Sequence, residues 1–339
     1  ISVPIGLRLD GNNGSITVNG KGNLITNDSP FAPIQFSERP TGLSVNEGQT
    51  LALVGNGIDL NGGVITTNGG NIYLTSIESG SVEIGQSKNE LTFSDNNVIQ
   101  YQDINLDRQS LVDASGEKVG TVFIIGKDIN LKDASFVLAQ NQGNSSNGSI
   151  NINAFESLQL SGSSSDGEIS SRIRSEVLPS GEEKGANINI FANEITFENL
   201  GGIQSTTFSE NTNGSSGYIH VKTLDSMSLN DGLITTGSLA EGDAGNILIT
   251  AQEIRASQGS IISSATSSSG VGGNVDIKAD LIELNGQIGE NGRPTFIGSV
   301  TFGQQGADAG NVLINVANLK IINVAEISSD SYSDGSSGN

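Results

Sequence analysis

The sequence predicts an all-β chain wound as a right-handed parallel β-helix, a β-solenoid, and three observations carry that expectation. A seven-residue phrase recurs along the 339 residues, each copy is apolar at every second position, and Gly, Asn, Asp and Ser fill the gaps. The phrase reads GNIYLTS at 70–76, GTVFIIG at 120–126, GSININA at 148–154, ANINIFA at 186–192, GYIHVKT at 217–223, GNILITA at 245–251, GNVDIKA at 273–279 and GNVLINV at 310–316. Successive copies start 50, 28, 38, 31, 28, 28 and 37 residues apart, so the base period is 28. A fixed period of this size marks stacked repeats.

Counting from the first residue of the phrase, offsets +2 and +4 are apolar in every copy, as in Ile188/Ile190 and Ile247/Ile249. Alternation over five residues is the pattern of a half-buried strand. A second alternating pair follows at +9 and +11 (Ile129/Leu131, Ile195/Phe197, Ile282/Leu284, Leu319/Ile321), and one extra residue moves it to Leu158/Leu160 and Met227/Leu229 in two copies. A third segment places Ile203, Ile234, Ile262 and Ile327 at +17, with Ser205, Thr236, Ser264 and Ser329 two residues on as a stacked hydroxyl ladder. Three short strands and three corners fill 28 residues, which leaves no room for a crossover helix. Stacked coils with three parallel sheets satisfy that pattern, and strand chirality makes the winding right-handed.

The gap between 70 and 120 reads as a hidden copy near 95–119, with Ile104/Leu106 and 111–114 as its second and third strands. Ahead of it, 51–54, 58–60, 64–66 and 82–84 are short strands. About eleven three-strand coils result, a rod about 50 Å long at about 4.8 Å per coil. The chain is expected to be one continuous β-helix over 1–339, less regular over 1–69, with a repeat array over 70–339. Insertions interrupt that array near 161–184 and 287–307, and the rod is expected to be cut at both ends. Asn71, Asn187, Asn246, Asn274 and Asn311 share offset +1, where amides on successive coils form a ladder.

Composition narrows the function. The chain holds 37 Asp+Glu against 16 Lys+Arg, a net charge of −21, with no Cys, no Trp and one His. Nucleic-acid binding needs clustered Lys and Arg, which are absent. Thiolate chemistry is excluded, as is any mechanism needing two histidines. No run approaches about 18 apolar residues, so no membrane-spanning helix is expected.

Two groups of residues are candidates for chemistry. Offset +8 carries Asp128, Glu156, Glu194, Asp225 and Glu253 in five consecutive coils. Carboxylates stacked so closely repel, so they either splay into water or hold a cation such as Ca²⁺. The insertions hold Arg172 and Arg174, then Arg293, Phe296 and Phe302, and insertions in stacked repeats map to loops on one face that often bind. His220 points outward with no second His beside it.

The opening VPIGLRL with GSITVNGKGN (14–23), then GLSVNEGQTLALVGNGIDLNGGVITTNGGNIYLTSI (42–77), DINLDRQSLVDASG (103–116) and the GGNI-type repeats resemble large cyanobacterial exoproteins of the filamentous haemagglutinin group. The resemblance covers essentially the whole chain and places it just after the N-terminal secretion domain, whose NPNG-type signature is missing here. It implies a secreted or cell-surface β-helical stalk, exported through a dedicated outer-membrane two-partner-secretion transporter. The rod would serve as an adhesin, fibre or coat, with a glycan or cell-surface receptor as partner and end-to-end or lateral self-association open to it. An enzyme is not expected, although parallel β-helices include polysaccharide lyases and glycoside hydrolases. That alternative requires a groove lined by carboxylates, Arg and aromatics.

Overall fold

The computed structural model describes residues 5–339 except 12, 13, 28, 30, 88, 89, 146, 147, 268, 287–291, 304–306 and 333. Among the described residues every regular element is a β-strand, and no helix is long and apolar enough to cross a membrane. Strands one repeat apart pair in parallel, forming three ladders.

The first ladder holds Leu51–Gly55 on the start of Ile72–Ser87, and then the starts of Thr121–Leu131, Ser149–Leu160 and Asn187–Glu198. It continues through Ile219–Thr223, Ile247–Thr250, Val275–Asn285 and Val312–Ile322. Ile16–Asn19, Ile58–Asn61 and Ile104–Asp107 begin the second ladder, which runs on through the ends of the same long strands. Ten strands make the path of the third: Leu43–Ser44, Val64–Thr66, Leu111–Asp113, Phe136–Ser145, Arg172–Val177, Gly202–Thr207, Leu233–Ser238, Ile261–Thr266, Phe296–Thr301 and Glu326–Ser331.

The first two ladders meet inside continuous strands rather than at a turn, with register shifts at Gly126/Asp128 and Ala154/Ser157. One expected corner is therefore a bulged bend, and the ladders join into a 16-stranded sheet. Pairing also closes a ring of six strands. It closes because Asn187–Glu198 and Val275–Asn285 each span both ladders, while the two repeats between them break at 224–225 and 251–252.

Alternation sets the core. In Asn187–Glu198 the buried residues are Ile188, Ile190, Ala192, Ile195 and Phe197, and one apolar cluster runs from Leu51 to Ile297. Such aliphatic residues each contribute roughly 1.5–3 kcal/mol on burial. The glycine opening each phrase allows close stacking: a Cβ on Gly273 would lie 2.0 Å from the Gly245 carbonyl oxygen.

The hydroxyls two residues after the third-ladder isoleucines do not form the expected ladder with one another. Ser205 Oγ is buried without a hydrogen-bond partner among the described residues, whereas Thr236 and the serines that follow it clamp those glycines. Ser264 Oγ accepts the Gly273 N–H at 2.8 Å, Ser299 Oγ accepts the Gly310 N–H at 2.8 Å and donates to the Gly273 carbonyl at 3.0 Å, and Ser329 Oγ donates to the Gly310 carbonyl at 2.7 Å. The asparagine column is present, but its amide oxygens chiefly take the next repeat's backbone N–H: Asn274 N–H to Asn246 Oδ1 and Asn311 N–H to Asn274 Oδ1, both 2.8 Å. Backbone donors win because the strand register already aligns them.

Corners between the second and third ladders depart from the expected residue types. Gln109, Ala134, Leu200 and Val324 adopt φ of 61°, 58°, 63° and 60°. Stacked corner bonds hold this conformation, such as Gln109 N–H to the Asp133 carbonyl and Leu200 N–H to that of Asp231, both 2.8 Å.

The hidden copy near 95–119 is corrected. Its second and third strands stand in the ladders, but they complete the repeat begun at Ile72. The chain between leaves the stack as an antiparallel hairpin, Ile72–Ser87 with Glu90–Tyr101, and Gly6–Asp10 pairs antiparallel with 79–83. Leu9, Ile77 and Val82 bury a separate small core there. The expected strand at 82–84 lies in this hairpin.

Candidate functional site

Strand register decides what the acid series amounts to. Asp128 pairs with Ser157, Ser157 with Glu194, and Ser226 with Glu253. The extra residue in two repeats pushes Glu156 and Asp225 out of the column and puts serines in their place. Ser157 Oγ donates to Asp128 Oδ1 at 2.6 Å. Lys127 Nζ lies 3.2 Å from Asp128, and Arg255 ion-pairs with Glu253. The unbroken five-carboxylate column is thus corrected to alternating acids and serines with basic neighbours. Among the described residues no group of three or more His, Cys, Asp or Glu is placed to hold a metal ion.

Arg172 and Arg174 are not loop residues. The span 161–184 contains the third-ladder strand Arg172–Val177, all six residues of which are buried. Arg174 and Glu176, two apart on one strand, share its outer face, and Arg174 Nε lies 2.5 Å from Glu176 Oε1 with both side chains fully covered. Their cover is the N-terminal segment around the two-stranded pair Ile25–Asn27 and Gln35–Phe36. Arg174 donates to the carbonyls of Ser29 (3.2 Å) and Ala32 (3.1 Å). Ile34 N–H donates to Glu176 at 3.2 Å, while Gln140 Nε2 donates to Glu176 Oε2 at 2.7 Å and to the Ile34 carbonyl at 3.2 Å. Apolar contact surrounds this network: Ile34 packs with Val64, Leu111, Phe136, Leu138 and Ile169, and Ile25 and Phe36 lie against them. Arg172 donates to the Leu200 carbonyl. Arg174 ties the strap to the third ladder and Arg172 ties that ladder to the next corner, so binding by them as free loop residues is corrected. Nearby, burial pushes the Asp113 carboxyl up, against hydrogen bonds from Ser115 that pull it down.

The second expected insertion divides similarly. Its residues 287–291 and 304–306 lie outside the described residues. Phe296 is half-buried in the third ladder, paired with Ile261 and Glu326, with its ring over the bare Cα of Gly298. Arg293 Nη2 bonds Asp231 Oδ1 at 2.8 Å, joining two repeats. Phe302 alone is a free surface residue, 58% exposed and stacked on Tyr332 with ring centroids 5.5 Å apart.

A different site lies on the outer face of the first ladder. Phe123, Asn151, Asn189 and His220 share one outward register column, and Ile125, Asn153, Phe191, Lys222, Thr250 and Lys278 share the next. A groove of about 350 Å³ is lined by Phe123, Ile125 and Phe191, by the three asparagines, and by His220 and Lys222. Asn189 Nδ2 donates to Asn151 Oδ1 at 2.9 Å, whereas Asn153 Oδ1 is covered and accepts no hydrogen bond among the described residues. The hairpin borders this face: Tyr73 stacks on Phe123 at 4.6 Å and touches Phe93, and Tyr101 stacks on Phe155 at 3.8 Å. In a chain of 11 Phe, 4 Tyr and no Trp, this is where aromatics concentrate. The signal was present in the phrase copies as apolar residues at outward offsets +3 and +5. It is faint in any single copy, because only in-register stacking makes the outward residues neighbours.

Residues 1–124 match the family model of the TPS secretion domain. No curated protein and no solved structure matches the chain. The secretion domain expected to lie ahead of this chain is therefore matched within it. Its residues escaped notice because the strap and hairpin make contacts that do not repeat. The match is to an export domain and not to a catalytic one.

Proposed function

We propose, from the premise that the chain is a two-partner-secretion exoprotein exported to the cell surface or beyond it, that it is a right-handed parallel β-helix serving as an adhesive or structural rod. Export through such a system engages an outer-membrane transporter. In this reading residues 1–124 serve the export step, and the stacked repeats after them form a stalk that presents its outer faces, in one continuous β-helix over 1–339.

One observation carries the reading: the matched export region and the repeat array share the same three ladders. Val122 and Ile124 of the export region pair with Ile150 and Ile152, which begin an uninterrupted parallel stack to Val312–Ile322. Right-handed winding follows from strand chirality. Work is then done by geometry, since stacked repeats build a long outer surface from nearest-neighbour contacts.

Two measurements test this. Expressed with its partner transporter the full chain reaches the medium or cell surface, and without the transporter it stays in the periplasm. Beads coated with purified chain adhere to cells or matrix that uncoated beads do not hold. Depolymerisation of a polysaccharide by the pure chain would sink the non-enzymatic reading, and failure of coated beads to adhere would remove the adhesive one.

A further inference from the structure

We propose that the groove on the outer face of the first ladder binds an acidic polysaccharide, one carrying uronate carboxylates, laid across the stacked repeats. The proposal rests on the surface-exposed reading above and names its ligand class.

The lining is amphipathic in the way a sugar is. Ile125 and Phe191 stand half-exposed at outward positions beside Phe123, and farther along the same face Leu248 and Leu313 are exposed outside the groove. Exposed apolar groups gathered in one concavity mark a binding surface. Asn151, Asn153 and Asn189 sit among them, and the Asn153 oxygen is an acceptor with no donor among the described residues. An unsatisfied covered acceptor carries a desolvation cost, which a ligand hydroxyl would relieve. Aromatic faces take the C–H side of a sugar ring while amides take its hydroxyls.

Charge selects an anion. Lys222 and Lys278 lie on one outward column with Thr250 between them. Neither forms an ion pair among the described residues, and His220 lines the same groove. Asp276 is outward on the same strand as Lys278 and offsets it, so the positive character is centred on Lys222 at the end of the groove, on a chain of net charge −21. It draws an anionic ligand to one face while the remaining surface repels it. Two lysines about 10 Å apart, twice the strand spacing, suit charges repeated along a polymer. They fall far short of the phosphate-neutralising cluster that nucleic acid requires.

The test is affinity electrophoresis and calorimetry of the full chain with polygalacturonate and alginate, and with dextran as the neutral polymer. The acidic polymers should bind, more weakly as salt rises, and dextran should not. Lys222→Glu with Lys278→Glu should weaken binding by roughly tenfold or more, as should Phe191→Ala, while Lys21→Glu at a distant corner leaves it unchanged. Thermal melting checks that each variant is folded. The proposal fails if neither acidic polymer binds, if dextran binds equally, or if the lysine and phenylalanine variants bind as the parent does. Adhesion that survives in a double-lysine variant unable to bind polygalacturonate supports the groove as the polymer site and overturns it only as the seat of adhesion. Loss of adhesion in the parent overturns the reading beneath it.

Discussion

Residues up to about 120 and residues beyond 187 occupy the same ladders, yet they are held by different kinds of contact. In the later region the contacts that stack one repeat on the next recur: isoleucine on isoleucine, serine on the next glycine, asparagine on the next backbone N–H. In the earlier region the same ladders carry, in addition, contacts that are each made once. The strap closes on a single buried Arg174–Glu176 pair, and the hairpin on a single small core. Recurrent contacts spread stability over many equivalent sites. A contact made once concentrates it, so the two regions should respond differently to the loss of one side chain.

The sharpest way to separate them is Glu176→Leu, which leaves Arg174 buried without its carboxylate. Breaking such a pair costs about 3–5 kcal/mol, whereas replacing both partners by apolar residues is often neutral. Denaturant unfolding should therefore show a large loss for the single variant and recovery in Arg174→Met with Glu176→Leu. Amide exchange at Ile34 should rise in both variants, because each removes the carboxylate that accepts its N–H. Equal loss in both would mean that the pair does not lock the strap.

In the array a comparable effect needs backbone crowding. Gly273→Ala drives a methyl group against the Gly245 carbonyl and should cost about 1–3 kcal/mol by overpacking. Ser264→Ala strips the Gly273 N–H of its acceptor and should cost a similar ~1–3 kcal/mol. If the contacts are as repetitive as they look, Ser299→Ala should cost about the same as Ser264→Ala. Unequal values would break the comparison.

A gain is expected at the corners. Val324 is β-branched, exposed and at φ 60°, a left-handed conformation that costs an L-residue roughly 1–2 kcal/mol. Val324→Gly relieves that cost but gives back part of it as unfolded-chain entropy. The net should be a small rise in melting temperature, with no change in far-ultraviolet circular dichroism.

The smallest effect is a pH dependence confined to the earlier region. Burial raises the Asp113 carboxyl above its ordinary value. The folded state then holds that proton more tightly than the unfolded chain does. The group opposes folding above the unfolded value of about 3.9, and the opposition fades as pH falls through the folded value. Asp113→Asn should be favoured relative to the parent at pH 7 and less so at pH 4. A stability difference that does not change with pH would contradict this.

How much was legible follows the same division. The 28-residue period, the inward isoleucines of all three strands and the asparagine column could be read directly, because each is repeated. The corner residues Gln109 and Leu200 could not, since their conformation is held by hydrogen bonds to the neighbouring corner. Arg172 and Arg174 looked like loop residues because a charged pair on an outer face is solvated unless something covers it. The cover comes from residues about 140 positions earlier. The acid series failed for a smaller reason: one inserted residue shifts two of the five carboxylates out of register.

By itself the sequence determined that the chain is all-β, repetitive, acidic and aliphatic in its core, since local alternation and period express those properties within each repeat. Only the tertiary structure decided which outward residues become neighbours. The groove of Phe123, Phe191 and Lys222, the strap over Arg174 and Glu176, and the hairpin between 77 and 101 all join residues whose adjacency depends on register and chain path. A period states that repeats stack; it does not state what the non-repeating segments lie against.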